Sequence, residues 1–480
     1  MAKGGGLFMN GFKKLFSIII TIAMISGMLT GCGKQDEKTG TNSVDTNTAS
    51  GDKPVVRMIV PGINDQDTID PISGIKSLSL GAFEEILEEQ IPDVDIQLTS
   101  IPWDGWIQKM EATIAAEEVD IGFYTNQVMA PDWFVDHRQF LEKDTEVNLE
   151  NLDDIFIEPA VHYMTYKSFN YPEATGQIFG LPVTMASNIF VYDKQLFEDW
   201  GVELPGDNVT YEELISKAEQ MNGVNPKTGA KNYGAYIASM WMEWNAIGFD
   251  AVKSYSSDTM LLSEMDKSQY VDYIKKSPEV LNFFQNMERI VKVSPEGIAT
   301  NAGSEKFFTK DNDIAINFDT NAISGSMLKY IYADKKEITD RFIPITIPTG
   351  SGGMQGFPEF FRYAVTKNAK NPELAWKVIK ALATNKVIND FYLTNYAKDK
   401  LTALKDFSGM KCMEYDINKK RHENQLKTMF ITDDYWFWRT PMQNVLSKVI
   451  AKQVTPEQAR EELYKGVNDW VENTKKQLGQ

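Results

Sequence analysis

Cysteine and histidine are both scarce in this chain, and their scarcity excludes several kinds of protein. The 480 residues include two cysteines, Cys32 and Cys412, and three histidines. Two cysteines cannot build a disulfide framework, and the histidines lie far apart without the spacing of a zinc site. We therefore expect no resident metal and no cofactor, and we assign the histidines structural or surface roles.

The common catalytic motifs are missing as well. The sequence contains no Gly-x-Ser-x-Gly elbow, no His-Glu-x-x-His zinc motif and no phosphate-binding loop. A pair of glycosidase carboxylates could still be present among the 67 acidic residues, because spacing in sequence does not set separation in space. The formal net charge of −18 argues against nucleic acid as a partner and mildly favours a neutral or cationic ligand.

The first 32 residues have the pattern of a bacterial export signal. Lys3, Lys13 and Lys14 precede an apolar run over Leu15–Ile25, and small residues lead to Cys32. The run is shorter than the roughly 20 residues needed to span a bilayer. Its Leu-Thr-Gly-Cys ending resembles the lipobox of prelipoproteins, which implies a signal peptide over residues 1–31 and acylation of Cys32. An ordinary cleaved signal or an uncleaved anchor is the alternative interpretation.

A polar segment separates this signal from the body of the chain. Residues 33–53 contain one valine and one alanine, so they cannot bury enough apolar surface to offset the entropy of ordering. The sequence therefore predicts a disordered tether over residues 32–53, with a reach of about 25 Å.

Strands and helices alternate at the start of the body. Three apolar strands and two amphipathic helices follow one another over Val55–Tyr124. This order predicts parallel strands joined by right-handed crossovers, which is a doubly wound α/β lobe. Ligands bind at the carboxyl ends of such strands, so the loops 61–67 and 125–130 should lie at the rim of a site.

Several later segments carry more specific motifs. They are Gly176–Pro182, Phe190–Val202, Pro205–Leu214, Asn312–Ile316 and Lys370–Trp376. In this order they resemble the motifs of the family 1 extracellular solute-binding proteins, the receptors of ABC importers for sugars and oligosaccharides. The family patterns are Gly-x-x-Tyr-Gly-Leu-Pro, Tyr-Asn-Lys-x-Leu-Phe-x-x-x-Gly, Pro-x-Thr-Trp-Glu-Glu, Gly-Lys-Ala-Ala-Met and a late helix start.

This resemblance implies an α/β, two-lobed, periplasmic-binding-protein-like fold with three hinge crossings and a ligand cleft between the lobes. Matching the motifs places the crossings near Val183–Met185, Ala315–Asn317 and Phe357–Arg362. The first lobe is then expected over 54–184 plus 317–358, and the second over 185–316 plus 359–480.

Sugars are recognised by aromatic faces and planar polar groups, so such residues near the expected cleft are the candidates. The predicted ligand-binding residues are Asn64, Asp65, Trp103, Tyr124, Asn126, Trp241, Trp244, Phe318, Asp319, Glu359 and Trp436. A single tryptophan is more often a core residue than a ligand contact, but the resemblance places a cleft residue near Trp241 and Trp244. The acidic run 65–70 also suggests calcium, although it lacks the glycine of an EF-hand loop.

Together these features predict a monomeric, lipid-anchored receptor on the outer face of the cytoplasmic membrane of a Gram-positive cell. It would capture a carbohydrate, an oligosaccharide by preference, and deliver it to the subunits of an ABC permease. The membrane lipid would be contacted through the N-terminal anchor. The alternatives are a lipid-anchored glycan hydrolase and an adhesive or structural lipoprotein, and the latter would leave the hinge crossings unexplained.

Overall fold

A computed structural model describes residues 53–70, 74–125, 130–166, 172–237, 267–298, 304–318, 320–348, 360–425 and 439–477. All of them belong to one unit, Lys53–Gln480. In these ranges no helix is both long and apolar enough to cross a bilayer.

Thirteen strands are described. They are β1 (Val55–Pro61), β2 (Thr68–Ile69), β3 (Lys76–Ser77), β4 (Asp95–Ile101), β5 (Ile121–Tyr124), β6 (Leu181–Ala186), β7 (Ile189–Asp193), β8 (Gly223–Val224), β9 (Lys231–Tyr236), β10 (Ile314–Asn317), β11 (Phe342–Thr346), β12 (Phe360–Val365) and β13 (Lys400–Thr402).

The helices alternate with these strands. They are α1 (Leu80–Gln90), α2 (Trp106–Ala115), α3 (Ala130–Trp133), α4 (Arg138–Leu141), α5 (Leu152–Ile155), α6 (Glu158–Met164), α7 (Lys194–Trp200), α8 (Tyr211–Gln220), α9 (Lys267–Lys276), α10 (Pro278–Lys292), α11 (Thr320–Tyr332), α12 (Lys336–Thr339), α13 (Pro372–Thr384), α14 (Lys386–Asn395), α15 (Asp416–Gln425), α16 (Arg439–Ile450) and α17 (Pro456–Gln477). Short 3-10 helices lie at Pro172–Ala174 and Lys411–Met413.

The first lobe is built on a six-stranded sheet with the order β13-β6-β12-β5-β1-β4. Strand β1 is parallel to both β4 and β5, whereas β12 and β13 are antiparallel to their neighbours. The predicted parallel start of the lobe is therefore confirmed. Helix α1 covers β4, and α13 covers β6 and β12, so apolar side chains on the strands are buried under helices.

The second lobe is built on a five-stranded sheet with the order β11-β7-β10-β9-β8. Strand β10 is parallel to β9 and antiparallel to β7, while β11 is antiparallel to β7 along its whole length. Helix α11 packs against β7, and α10 packs against α8 and the C-terminal helix α17. The described part of the molecule thus contains two separate sheets with their own helical layers.

The strand pairing corrects one of the expected crossings and the lobe assignment that followed from it. Residues 314–317 form a strand inside the five-stranded sheet, so the chain does not cross near Ala315–Asn317. Strand β11, expected in the first lobe, belongs to the five-stranded sheet, and β12 and β13, expected in the second, belong to the six-stranded sheet. The reason is long-range pairing, since five residues of β11 lie opposite β7.

The chain passes between the sheets at three places. The first connection joins Ala186 at the end of β6 to Ile189 at the start of β7. The second lies between β11 and β12, near the expected Phe357–Arg362 crossing. The third follows β13 and leads to α15, which packs against β11.

One carboxylate organises the second lobe. Asp193 is fully buried at the end of β7 and caps α7 by accepting hydrogen bonds from the backbone N–H groups of Gln195 and Leu196. It also accepts from the guanidinium of Arg341 at 2.6 Å and from the amide of Asn312 at 2.8 Å. Three chain segments distant in sequence are therefore joined at one side chain.

Asp193→Ala should destabilise the protein by about 3–5 kcal/mol, because it leaves the partly buried Arg341 guanidinium without its carboxylate. Urea unfolding followed by circular dichroism measures this loss. The matched control is Asp93→Ala, which removes an exposed carboxylate 2.6 Å from Lys377 and should shift the urea midpoint little. Equal shifts for the two variants would contradict the assigned role of Asp193.

Candidate ligand-binding site

The carboxyl ends of the three parallel strands define the candidate site. Because β1 is parallel to β4 and β5, Pro61, Ile101 and Tyr124 end at one edge of the six-stranded sheet. The loops that follow β1 and β4 carry two groups of predicted site residues. Asn64 and Asp65 are exposed in the first loop, and Trp103 is in the second. The structure thus brings these three predicted residues to the same edge.

The ring of Trp103 packs against neighbouring aromatic rings on one side and is exposed to solvent on the other. It is 50% exposed, although its ring has edge-to-face contacts with Trp106, Phe123 and Phe361 at centroid distances of 6.4, 5.7 and 6.4 Å. The ring lies directly over Gly62, where an added Cβ would be 2.2 Å from the indole Nε1. Such packing fixes an aromatic surface before any ligand arrives.

Two neighbours of this tryptophan have no sequence signal of their own. Phe361, on β12, is almost buried and stacks on Phe123 with centroids 5.6 Å apart. The ammonium of Lys400, on β13, lies 4.9 Å from the centre of the Phe361 ring and forms an ion pair with Asp399. The Phe361 ring thus contacts both Trp103 and Lys400, and the ion pair of Lys400 with Asp399 supplies hydrogen-bond donors and acceptors at this apolar face.

The second lobe approaches this edge through helix α11. The carboxylate of Asp70, the residue that follows β2, lies 3.2 Å from the ammonium of Lys329 on α11. The hydroxyl of Tyr332, also on α11, donates to the backbone carbonyl of Lys398 at 3.4 Å. The carboxyl edge of the six-stranded sheet therefore faces the other lobe, and the region between them is the candidate cleft.

A buried lysine lies in the same region. Lys398 is 8% exposed, and its ammonium donates to the backbone carbonyl of Asn395 at 2.7 Å. Burial, together with the nearby charge of Lys329, lowers the pKa of Lys398 to about 8. Three lysines, with Lys400 as the third, thus stand near two carboxylates at this junction of the lobes.

Two of the predicted ligand-binding residues are core residues, and their assignment was wrong. Tyr124 is fully buried, with the guanidinium of Arg362 3.8 Å from its ring centre. Phe318 is fully buried and contacts Phe190 with ring centroids 4.9 Å apart and Tyr211 at 6.0 Å. Both follow or end a strand whose two faces are covered, so their rings pack inside instead of facing the cleft.

The remaining predicted residues lie outside the described part of the chain, and their roles stay predictions. They are Cys32, Asn126, Trp241, Trp244, Asp319, Glu359 and Trp436.

The histidines are not gathered into a site. His137 is fully buried and its ring lies 5.6 Å from Phe140 and 5.8 Å from Trp376. Burial lowers the pKa of His137 to about 4, so this side chain is neutral at physiological pH. His422 is buried as well, against Phe407. Within the described ranges, no group of three histidine, cysteine or acidic side chains is arranged to hold a metal ion.

The sequence also matches a family of known proteins. Residues 75–388 match the family model described as bacterial extracellular solute-binding protein, which is more than half of the chain. The chain belongs to this family. A curated binding protein of Brucella abortus is 22% identical to this solute-binding protein over 321 residues, which are 62% of this chain and 68% of the relative.

Solved structures share the fold of this solute-binding protein. The sugar-binding protein MalE of Xanthomonas citri superposes with a TM-score of 0.65 at 14% identity, covering 89% of this chain and 99% of that one. The ABC substrate-binding protein Lmo0181 of Listeria monocytogenes, solved in complex with cycloalternan, gives 0.62 at 15% identity, with 89% and 100% covered. These likenesses show the two-lobed α/β fold that the sequence predicted.

Gly62→Ala should displace the Trp103 ring of this solute-binding protein, because the new Cβ cannot occupy the position of the indole. Gly62 has a φ of +75°, so a part of the stability loss will come from backbone strain alone. The matched control is Gly229→Ala, with a φ of +73° and nothing within 4 Å of the added Cβ.

We expect the free energy of unfolding to fall by about 1–2 kcal/mol in the control and by clearly more in Gly62→Ala, with both values measured by urea unfolding. The difference reports the cost of moving Trp103. Equal losses would show that the ring is not held against Gly62.

Proposed function

We propose that this protein is the lipid-anchored, substrate-binding component of an ABC transporter and that it captures an oligosaccharide between its two lobes. The observation that carries the proposal is the half-exposed ring of Trp103, held against Gly62 at the edge that faces the second lobe. Membership of the solute-binding family supports the receptor role. Solved proteins of the same fold that hold cycloalternan or maltotetraose support a carbohydrate as the solute.

The arrangement suits a sugar for a physical reason. The C–H face of a pyranose stacks on an indole, and its hydroxyl groups need donors and acceptors around the ring. Asn64 and Asp65 follow β1, and the Asp399–Lys400 pair at the start of β13 lies against Phe361, the neighbour of Trp103, so both kinds of group are available at this edge. A neutral sugar can be bound there without leaving a buried charge unpaired.

Lobe closure would convert this open surface into an enclosed site. A ligand that contacts both lobes binds the closed arrangement better than the open one, and it shifts the population toward closure by that difference in affinity. The closed, loaded protein is then the form that a permease in the membrane recognises. We infer that the receptor acts as a monomer on the outer face of the cytoplasmic membrane of a Gram-positive cell.

An oligosaccharide should raise the melting temperature of the protein, because binding to the folded state alone stabilises it by mass action. The measurement is a thermal-shift screen with maltose, maltotetraose, acarbose and cycloalternan, with amino acids as a control panel. Mass spectrometry of the same samples should find the sugars intact. A sugar cleaved during incubation would favour a hydrolase, and a shift with amino acids alone would contradict the carbohydrate assignment.

Trp103→Ala should weaken binding of the sugar found in that screen about tenfold to a hundredfold, since it removes the stacking surface. Isothermal titration calorimetry measures the affinity. Trp103→Phe should retain part of it because a smaller ring remains. Trp376→Phe is the control in the core, where the indole N–H donates to Asp144 at 2.9 Å, and it should lower stability while affinity is kept.

The proposed anchor depends on one cysteine. Cys32→Ala should abolish labelling of the protein by radioactive palmitate in cells, because the thioether bond to the lipid forms at that sulfur. Cys412→Ala should leave labelling intact, since Cys412 is buried in the first lobe. Labelling that persists in Cys32→Ala would overturn the lipoprotein assignment.

A further inference from the structure

Two kinds of contact join the lobes, and they differ in how easily they can be broken. The guanidinium of Arg421, on α15, is fully buried. It donates to the carbonyl of Ser187, in the first connection between the sheets, and to that of Asp399, just before β13. Burial lowers the pKa of Arg421 to about 10, which leaves it charged at neutral pH. Breaking this contact would leave a buried charge and buried carbonyls without partners, so it costs far more to break than an exposed ion pair.

The ion pair of Asp70 with Lys329 has the opposite character. The two groups lie 3.2 Å apart, with side chains 29% and 42% exposed. Asp70 directly follows β2, in the segment between β1 and α1 of the first lobe, whereas Lys329 is on α11, which packs against β7 of the second lobe. Water can therefore replace either partner when the lobes separate, at little cost in free energy.

Lys329 lies between a charge of the first lobe that repels it and one that attracts it. Lys398, from the first lobe, is nearly buried, and the charge of Lys329 contributes to the lowered pKa of Lys398. On the other side, burial and then the charge of Asp70 raise the pKa of Tyr330, the next residue on α11. Lys329 is thus repelled by one group of the first lobe and attracted by another, so the pair prefers a particular relative position of the lobes.

We propose that Asp70 and Lys329 form a releasable latch that sets the share of molecules in the lobe arrangement of this structure, with the buried Arg421 contact as the fixed connection. A half-exposed pair changes such an equilibrium by up to about fivefold. That amount is enough to tune a population and too little to prevent opening. The latch goes beyond the proposed function, and only its effect on sugar affinity rests on that function.

Zero-length carbodiimide cross-linking of the full chain tests the contact directly, because it couples a carboxylate to an amine only when they touch. We expect a cross-linked peptide pair joining Asp70 to Lys329. Asp93 and Lys377, 2.6 Å apart within the first lobe, are the internal reference. Lys329→Arg should remove the first cross-link and keep the second, since a guanidinium does not couple. A reference cross-link without the one between Asp70 and Lys329 in the unsubstituted chain would overturn the proposal.

Charge reversal tests whether the contact controls the lobes. Asp70→Lys and Lys329→Asp should each abolish the cross-link, and the double reversal should restore it. Spin labels at Gln108 on α2 and Lys292 on α10, both exposed, report the distance between the lobes in a Cys32→Ala background.

Each single reversal should broaden that distance distribution, and the double reversal should narrow it again. Distributions that stay unchanged in the single variants would show a passive surface pair and overturn the latch. None of these readouts uses a sugar, so failure of the carbohydrate proposal would leave the result valid.

Discussion

A single buried guanidinium fixes how the two lobes are joined. Arg421 reaches from α15 to the carbonyl of Ser187, where the chain leaves the six-stranded sheet for the five-stranded one, and to that of Asp399 beside β13. Its remaining nitrogen donates to Asn418 on its own helix at 2.7 Å. Because backbone carbonyls satisfy the charge, removing the guanidinium would leave the carbonyl of Ser187, on the first connection, and that of Asp399, just before β13, without this donor. The relative placement of the sheets, and with it the cleft, depends on this contact.

The parallel pairing of β1, β4 and β5 decides what faces that cleft. Parallel strands end at one edge, so the loops that follow them meet there whatever their sequence. Gly62 and Trp103 come from two of these loops, and the missing side chain of the glycine makes room for the indole. The aromatic surface is therefore a consequence of sheet topology and one small residue. Phe361 on β12 and Lys400 on β13, which extend this surface, come from segments more than 200 residues further along the chain.

Features that depend on residues close together in sequence could be predicted, whereas features that depend on contacts between distant residues could not. Local periodicity predicted the parallel half of the first sheet, and the end of the first strand predicted the exposed positions of Asn64 and Asp65. Trp103 was predicted from its aromatic side chain alone. Strands β11 and β12 could not be assigned to their sheets, because pairing partners such as β7 lie about 150 residues away and similar apolar runs suit either sheet. Tyr124 and Phe318 show the same limit. An aromatic residue at the end of a strand has the same sequence pattern whether its ring packs in the core or faces the cleft.

The net charge of the whole chain is also a weaker guide to the ligand than the charged side chains at the junction of the lobes. A net charge of −18 favours cations at long range, but Lys329, Lys398 and Lys400 gather where the lobes meet. Asp70 and Asp399 offset two of them at contact distance, and contact pairs dominate over distant charges because salt screens fields beyond about 8–10 Å. Two of these three lysines are thus paired with a carboxylate. On the proposed function, a partly aromatic surface of this kind would select its solute by stacking and hydrogen bonding, and the proposed latch would leave closure of the lobes to contacts that water can replace.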